Sequence, residues 1–172
     1  MKNKLISIIP FLISCSANVE EHFILPYGYN GEVTVIFDEP CGIKVEKNAN
    51  NIREYNIPQS GILITNVPHQ CNTNKRIYYY KKANGELVKI KQMTEIEEKR
   101  KWDEENPNIL DPERQELGVY MLSCGYKGDN GINSQSAFIL NYNQLQDSLS
   151  DASYSVRRNN TIVSELKDCR SK

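Results

Sequence analysis

The sequence predicts an α+β domain of mainly antiparallel strands, sandwich-like, with a charged mid-chain helix and an amphipathic C-terminal helix. Three observations predict it. About eight short apolar or alternating segments follow one another at close spacing, each bounded by Gly, Pro or Asn. An Asn-Gly pair joins two alternating runs, the strongest local signal for a hairpin. Helical patterning is confined to two stretches, one opening at Thr94 and one at Asn143.

Each element has its own warrant. Phe23 to Leu25 reads as extended and stops at Pro26, after which Gly28 and Asn30-Gly31 supply turn chemistry. EVTVIFD over 32–38 is β-branched and almost continuously apolar, so it reads as a well-buried strand. Pro40-Cys41-Gly42 punctuates it, and 48–51 is a polar loop. Arg53 to Ile57 alternates with Tyr55 and Ile57 on one face, and Pro58 and Gly61 bracket a turn before the strand Ile62 to Thr65. Arg76 to Lys82 and Glu86 to Lys91 then form the hairpin around Asn84-Gly85. Thr94 with Glu97 makes a capping box for a helix over 94–105, apolar only at Ile96 and Trp102. Gly118 to Cys124 and Ala137 to Tyr142 are the last strands. Asn143 with Gln146 reads as the cap of the final helix, whose stripe is Leu145, Leu149, Ala152, Val156, Val163 and Leu166, with Asn159 and Asn160 as a break.

Composition bounds the function. The 172 residues are 39% hydrophobic and 25% charged, the balance of a folded protein of one domain. With 21 basic against 22 acidic side chains there is no cationic excess to neutralise phosphates, so nucleic acid is not an expected partner. The count that needs an explanation is five cysteines, an odd number.

The N-terminus supplies the explanation. Lys2 and Lys4 precede an apolar run over 5–13 that is interrupted by Ser7 and Pro10. The run is about half the ~20 residues a membrane-spanning helix needs, and it fits the apolar region of a signal peptide. Leu12-Ile13-Ser14-Cys15 then resembles the lipobox of bacterial lipoproteins, with Ile13 where a smaller residue is commoner. A plain secretory signal with an incidental cysteine is the alternative. The resemblance implies a leader over 1–14, acylation of the Cys15 thiol, a tether over 15–21, and a single β-rich domain over 22–172. Membrane attachment would then be by lipid, and two or more acyl chains hold stably where one does not. Ser16 rather than Asp after the cysteine implies, by likeness to Gram-negative lipoproteins, the outer membrane.

Cys41, Cys71, Cys124 and Cys169 remain, an even number in an oxidising compartment. Three pairings are open, and the expectation is two local bridges, Cys41–Cys71 and Cys124–Cys169. Buried free thiols are the alternative. A metal site has little support: there is no Cys-x-x-Cys, and only His22 and His69 are available.

FILPYGYNGEVTVIF over 23–37, followed by YNIPQSGILIT over 55–65, is similar to a recurrent domain of bacterial lipoproteins whose function is unknown. The likeness covers 22–91 and is loose beyond. The Pro-x-x-Gly turn feeding a strand also resembles transthyretin-like and PEGA-type sandwiches. The resemblance implies a lipoprotein β-domain and carries no catalytic residues.

No catalytic motif or cofactor signature is present in the sequence. Ser123-Cys124-Gly125 reads as a half-cystine on a strand end, and Asp38, Glu39 and Asp129 read as turn and surface groups. Ten tyrosines and one tryptophan are the other unusual feature. Tyr27, Tyr29, Tyr79 and Trp102 are the candidate binding aromatics, able to stack on sugar rings or enter a partner's pocket; the alternative is ordinary strand residues. The expectation is a non-enzymatic, lipid-anchored envelope protein that binds a protein or glycan. The rival is an envelope hydrolase using His69 or His22 with an Asp.

Overall fold

The computed structural model describes residues 19–70, 75–93, 104–107, 115–124 and 131–172, with backbone alone for 121–124. Among these residues the architecture is mixed α+β, two sheets of four strands with two complete helices. The strands are β1 (Glu20–Pro26), β2 (Gly31–Phe37), β3 (Ile52–Asn56), β4 (Ile62–Ile64), β5 (Lys75–Lys81), β6 (Leu87–Lys89), β7 (Gly118–Cys124) and β8 (Asn133–Leu140). Helices α1 (Tyr142–Ser150) and α2 (Ala152–Arg170) follow. The first sheet has the order β3-β1-β5-β6 and the second β4-β2-β8-β7. β1 opens two residues before the expected start of the domain. The expected mid-chain helix falls outside the described residues except for Glu104 and Glu105, which are helical.

The expectation of mainly antiparallel sheets does not hold. β1 is parallel to both β3 and β5, and β2 is parallel to β4. The cause is alternation: the chain crosses between the sheets at each step from β1 to β5, so it returns to a given sheet running in the same direction. Only consecutive strands that stay in one sheet, β5–β6 and β7–β8, form antiparallel neighbours in sequence order. Local patterning carries no information about which sheet a strand joins, so the sequence could not show this.

The sheets face each other across one apolar cluster. Phe23, Leu25, Tyr55 and Tyr78 come from the first sheet, and Val33, Val35, Phe37, Leu63, Val119 and Ile139 from the second. Phe23 lies between the rings of Tyr55 and Tyr78, stacked at 5.1 and 4.8 Å. The odd positions of β2 enter this core, while Ile36 on its opposite face packs with Ile62, Ile132 and Leu166 of α2. That two-sided burial is why β2 reads as a continuous apolar run.

The helices differ from the expected single amphipathic one. The capping box lies at Asn141 with Gln144, two residues earlier than expected. Asp151 then ends α1 and caps α2, accepting from the Ser153 amide at 2.9 Å. Ser153 and Arg157 hold the Asp151 carboxyl down at about 2. The break is therefore at Asp151 and not at Asn159 or Asn160. Restarting the helix there changes its phase, and of the expected stripe Leu145 and Leu166 are buried while Leu149, Val156 and Val163 are at least half exposed. α2 is held instead by polar contacts. Arg158 donates to the carbonyls of Glu32 (2.9 Å), Ser60 (3.2 Å) and Gly61 (3.2 Å), and to the Thr34 hydroxyl (3.0 Å). At the C-terminal end, Arg170 grips Glu39 with two bonds of 2.9 and 2.5 Å.

Beside that ion pair, Cys41 is bonded to Cys169. This overturns the expected local pairs Cys41–Cys71 and Cys124–Cys169; Cys71 lies outside the described residues, and the backbone of Cys124 pairs with Gln135. The bridge forms because Gly42 packs so closely on Thr65 that a Cβ would sit 2.5 Å from its backbone, which fixes the 39–43 turn under the end of α2. Pairing residues 128 apart removes about 5 kcal/mol of unfolded-chain entropy. Cys169→Ser is therefore expected to lower the unfolding free energy by up to that amount in urea titrations. Non-reducing peptide mapping should recover the 41–169 crosslink; Cys41 linked to any other residue would refute the assignment.

Candidate functional site

Three polar features stand out, and the most constrained lies inside the fold. Along β1, positions 21, 23 and 25 point to the core, so Glu21 is buried at 2% exposure. The parallel register sets Glu21 opposite Arg53 on β3 and Arg76 on β5, and Phe23 opposite Tyr55 and Tyr78. An ionic rung, Arg53–Glu21–Arg76, thus lies one step below an aromatic rung, Tyr55–Phe23–Tyr78. Arg76 Nε donates to Glu21 at 3.4 Å, Arg53 Nη1 lies 4.0 Å away, and the Tyr55 hydroxyl donates to the same carboxylate at 3.0 Å. Burial, reinforced by the carboxylate of Glu21, pushes the Tyr55 phenol well above its ordinary range. The Glu21 carboxylate is thus enclosed by two guanidiniums and a phenol.

His69 sits near this rung. Its ring packs on Phe37 at 4.9 Å, and its backbone amide donates to Asp38, which also accepts from Asn133 at 2.6 Å. Burial and the charge of Arg76 lower the His69 pKa, favouring the neutral ring. His22 points to the other face of the same sheet, where its Nε2 lies 2.7 Å from Glu20 and its ring packs on Tyr79 at 5.0 Å. His22 and then Lys75 hold the Glu20 carboxyl below its usual value. The two histidines therefore occupy opposite faces, and His22 is partnered by a glutamate, not by an aspartate. Among the described residues no group of His, Cys, Asp and Glu could hold a metal ion.

The candidate aromatics have different fates. Tyr27 is 67% exposed on the β1–β2 turn, with its ring edge-on to Tyr80. Tyr29 is buried and donates to the Glu32 carbonyl at 2.6 Å; a Cβ on Gly61 would run into its hydroxyl. Tyr79 is half-buried beside His22. Trp102 and Cys15 lie outside the described residues. Sequence reasoning missed Glu21, Arg53, Arg76 and Arg158, and the expectation of a surface or turn role for Glu39 does not hold, since Glu39 is buried and held by Arg170. A signal for the rung was present: each of the first three precedes a core aromatic by two residues, which is strand period. For Glu39 and Arg158, whose partners are 131 and up to 126 residues away, the sequence holds no local sign.

The ionic rung makes a sharp prediction. Glu21→Gln leaves two guanidiniums without their carboxylate and should cost on the order of 3–5 kcal/mol. Tyr27→Ala, at the surface, should stay within about 0.5 kcal/mol of the parent. Denaturant titration of both variants checks the contrast, and equal losses would refute it.

No curated protein matches this chain. Among solved structures it is similar to a Bacillus anthracis chain bearing the name "Putative Lipoprotein", with 14% identity over 70% of this chain and 68% of that one, at a TM-score of 0.47. The profile of one protein family matches residues 17–127, well over half of the sequence. On that match the chain belongs to the family of unknown function DUF6843.

Proposed function

We propose that this chain is a lipid-anchored, non-enzymatic protein of the bacterial envelope that presents a β-rich domain to a protein or glycan partner. The observation that carries it is the N-terminal sequence: a lysine-rich start, a short apolar run and Leu-Ile-Ser-Cys, with the first sheet residue, Glu20, five positions after Cys15. Five extended residues reach ~17 Å at most, so an acylated Cys15 would hold the domain close to the bilayer. Among the described residues no helix is long and apolar enough to cross a membrane.

The same geometry favours the far end of the first sheet as the partner surface. β1 runs away from the anchor, and its far end carries Tyr27, Tyr80 and the Lys82–Glu86 hairpin. Tyr27 offers an exposed ring there, backed by Tyr80, whose hydroxyl is fixed on the Tyr29 carbonyl at 2.7 Å. A rigid exposed aromatic at the end of a stiff sheet is suited to stacking on a sugar or filling a partner's pocket.

Acylation is the direct test. Wild-type protein should incorporate radiolabelled fatty acid and fractionate with membranes, and Cys15→Ala should lose both; unchanged membrane association would sink the anchor. His22→Ala and His69→Ala should leave the cellular phenotype intact. Loss of phenotype in either folded variant would instead favour a hydrolase.

A further inference from the structure

We propose that the far end of the first sheet binds a neutral glycan, with one pyranose ring stacked on Tyr27 and its hydroxyls bonded to the Lys82–Glu86 pair. The inference rests on that end being the partner surface and deepens it, because it names the partner's chemistry. Tyr27 is 67% exposed and follows directly on β1. Leu25 lies opposite Tyr80 and Pro26 opposite Lys81, so one further step of the register sets Tyr27 beside Lys82. The Lys82 amide donates to the Glu86 carbonyl at 2.9 Å, which brings Glu86 across from it. Lys82 Nζ donates to both carboxylate oxygens of Glu86 at 3.2 Å, and Asn84 donates to the same carboxylate. One aromatic ring thus stands at the edge of an ion pair whose two members are 38% and 54% exposed.

The chemistry of this patch selects its ligand. A sugar ring offers an apolar C–H face that an aromatic face receives, and hydroxyls around its rim. A hydroxyl both donates and accepts, so neighbouring hydroxyls satisfy the ammonium of Lys82 and the carboxylate of Glu86 together. An anionic ligand would be repelled by Glu86, and a cationic one by Lys82. The pair is exposed and therefore weak, so its members exchange one another for such partners readily. A protein partner fits less well, because its contact needs a core of several apolar side chains. Leu87, the exposed apolar side chain of the same hairpin, pairs with Lys81 and so faces the other side of the sheet from Tyr27. The ring is also held in place beforehand. The Tyr29 amide donates to the Pro26 carbonyl at 3.0 Å, with Gly28 at a φ of 77° inside that turn. Tyr80 lies edge-on to Tyr27 at 6.0 Å, and its own hydroxyl is fixed on the Tyr29 carbonyl. A ring already ordered loses little freedom when a sugar settles on it.

The test uses the full mature chain with Cys15→Ser, screened on neutral oligosaccharides built from glucose, N-acetylglucosamine, galactose and mannose, with oligogalacturonate as the anionic comparator. The best neutral probe is then titrated by calorimetry. The parent should bind it, Tyr27→Phe should stay within about twofold, and Tyr27→Ala should lose about tenfold. Glu86→Gln should lose about fivefold, because a neutral acceptor bonds a hydroxyl more weakly than a carboxylate does. Each variant is checked by far-UV circular dichroism, and if Glu86→Gln disturbs the hairpin, the contrast between Tyr27→Phe and Tyr27→Ala decides alone. The proposal is overturned by binding to no neutral probe or by preference for oligogalacturonate. Neutral-glycan binding that Tyr27→Ala leaves unchanged overturns both this site and the far end as partner surface. A protein captured from envelope extracts and lost with Tyr27→Ala, by a chain that binds no neutral probe, keeps that surface and overturns the glycan alone.

Discussion

The register of β1 between β3 and β5 is the constraint on which the rest of the molecule depends. Two rungs are set by it at once, one of charges and one of rings. A one-residue slip would turn Glu21 and Phe23 to the outer face and leave Arg53 and Arg76 buried without their anion. Burying ions is costly, and the attraction between them repays that cost only when the partners meet. The ionic rung is therefore a device for specificity more than for stability: it penalises the wrong alignment far more than it rewards the right one. The aromatic rung then places Phe23 under Tyr55, and Tyr55 meets Phe37 edge-on, which joins the first sheet to the second.

The second sheet is assembled differently. Its central strand, β8, lies between β2 and β7 and comes from beyond residue 127, where the family match ends. The matched stretch thus contains the whole first sheet and its buried rung, but not the strand that closes the second. β8 pairs with β2 over seven positions, including Thr34 with Ser136, whose hydroxyls meet at 3.2 Å. The helices that follow cover the outer face of this sheet, and Arg158 ties α2 to the carbonyls of the β2 and β4 ends, where an apolar stripe would otherwise be needed.

Much of this was legible in the sequence, and the failures have physical causes. The strands were legible because each is short, β-rich and bounded by turn residues; Asn84-Gly85 marks the hairpin, and the apolar run over 32–38 marks a well-buried strand, whose second buried face is seen only in the packing of Ile36. Strand direction was not legible, because it depends on which sheet each crossing reaches. The helix boundary was missed because Asp151 can cap as well as any residue in that polar stretch, and only packing chooses among them. The cysteine pairing was not legible because proximity in sequence is not proximity in space: the 39–43 turn meets the end of α2. The buried rung was half legible: the period of two was visible, but the alignment of three strands that brings the charges together was not. Of the candidate aromatics, Tyr27 and Tyr29 are two residues apart with opposite fates, since the turn at Gly28 swings one outward and one onto the Glu32 carbonyl.

The bond between Cys41 and Cys169 also sets an order of events. A chain that emerges from its N-terminus has β1, β2 and the buried rung's three strands available long before residue 169 appears. The first sheet can collapse early, yet the last four residues must arrive before the covalent ring closes. Until then α2 is attached by Arg158, by the Arg170–Glu39 ion pair and by the packing of Leu166 on Ile36 and Ile62, with no covalent tie. Closing the ring takes an oxidant, so the covalent fastening of α2 to the 39–43 turn depends on the redox conditions the chain meets, whereas the contacts of the first sheet do not.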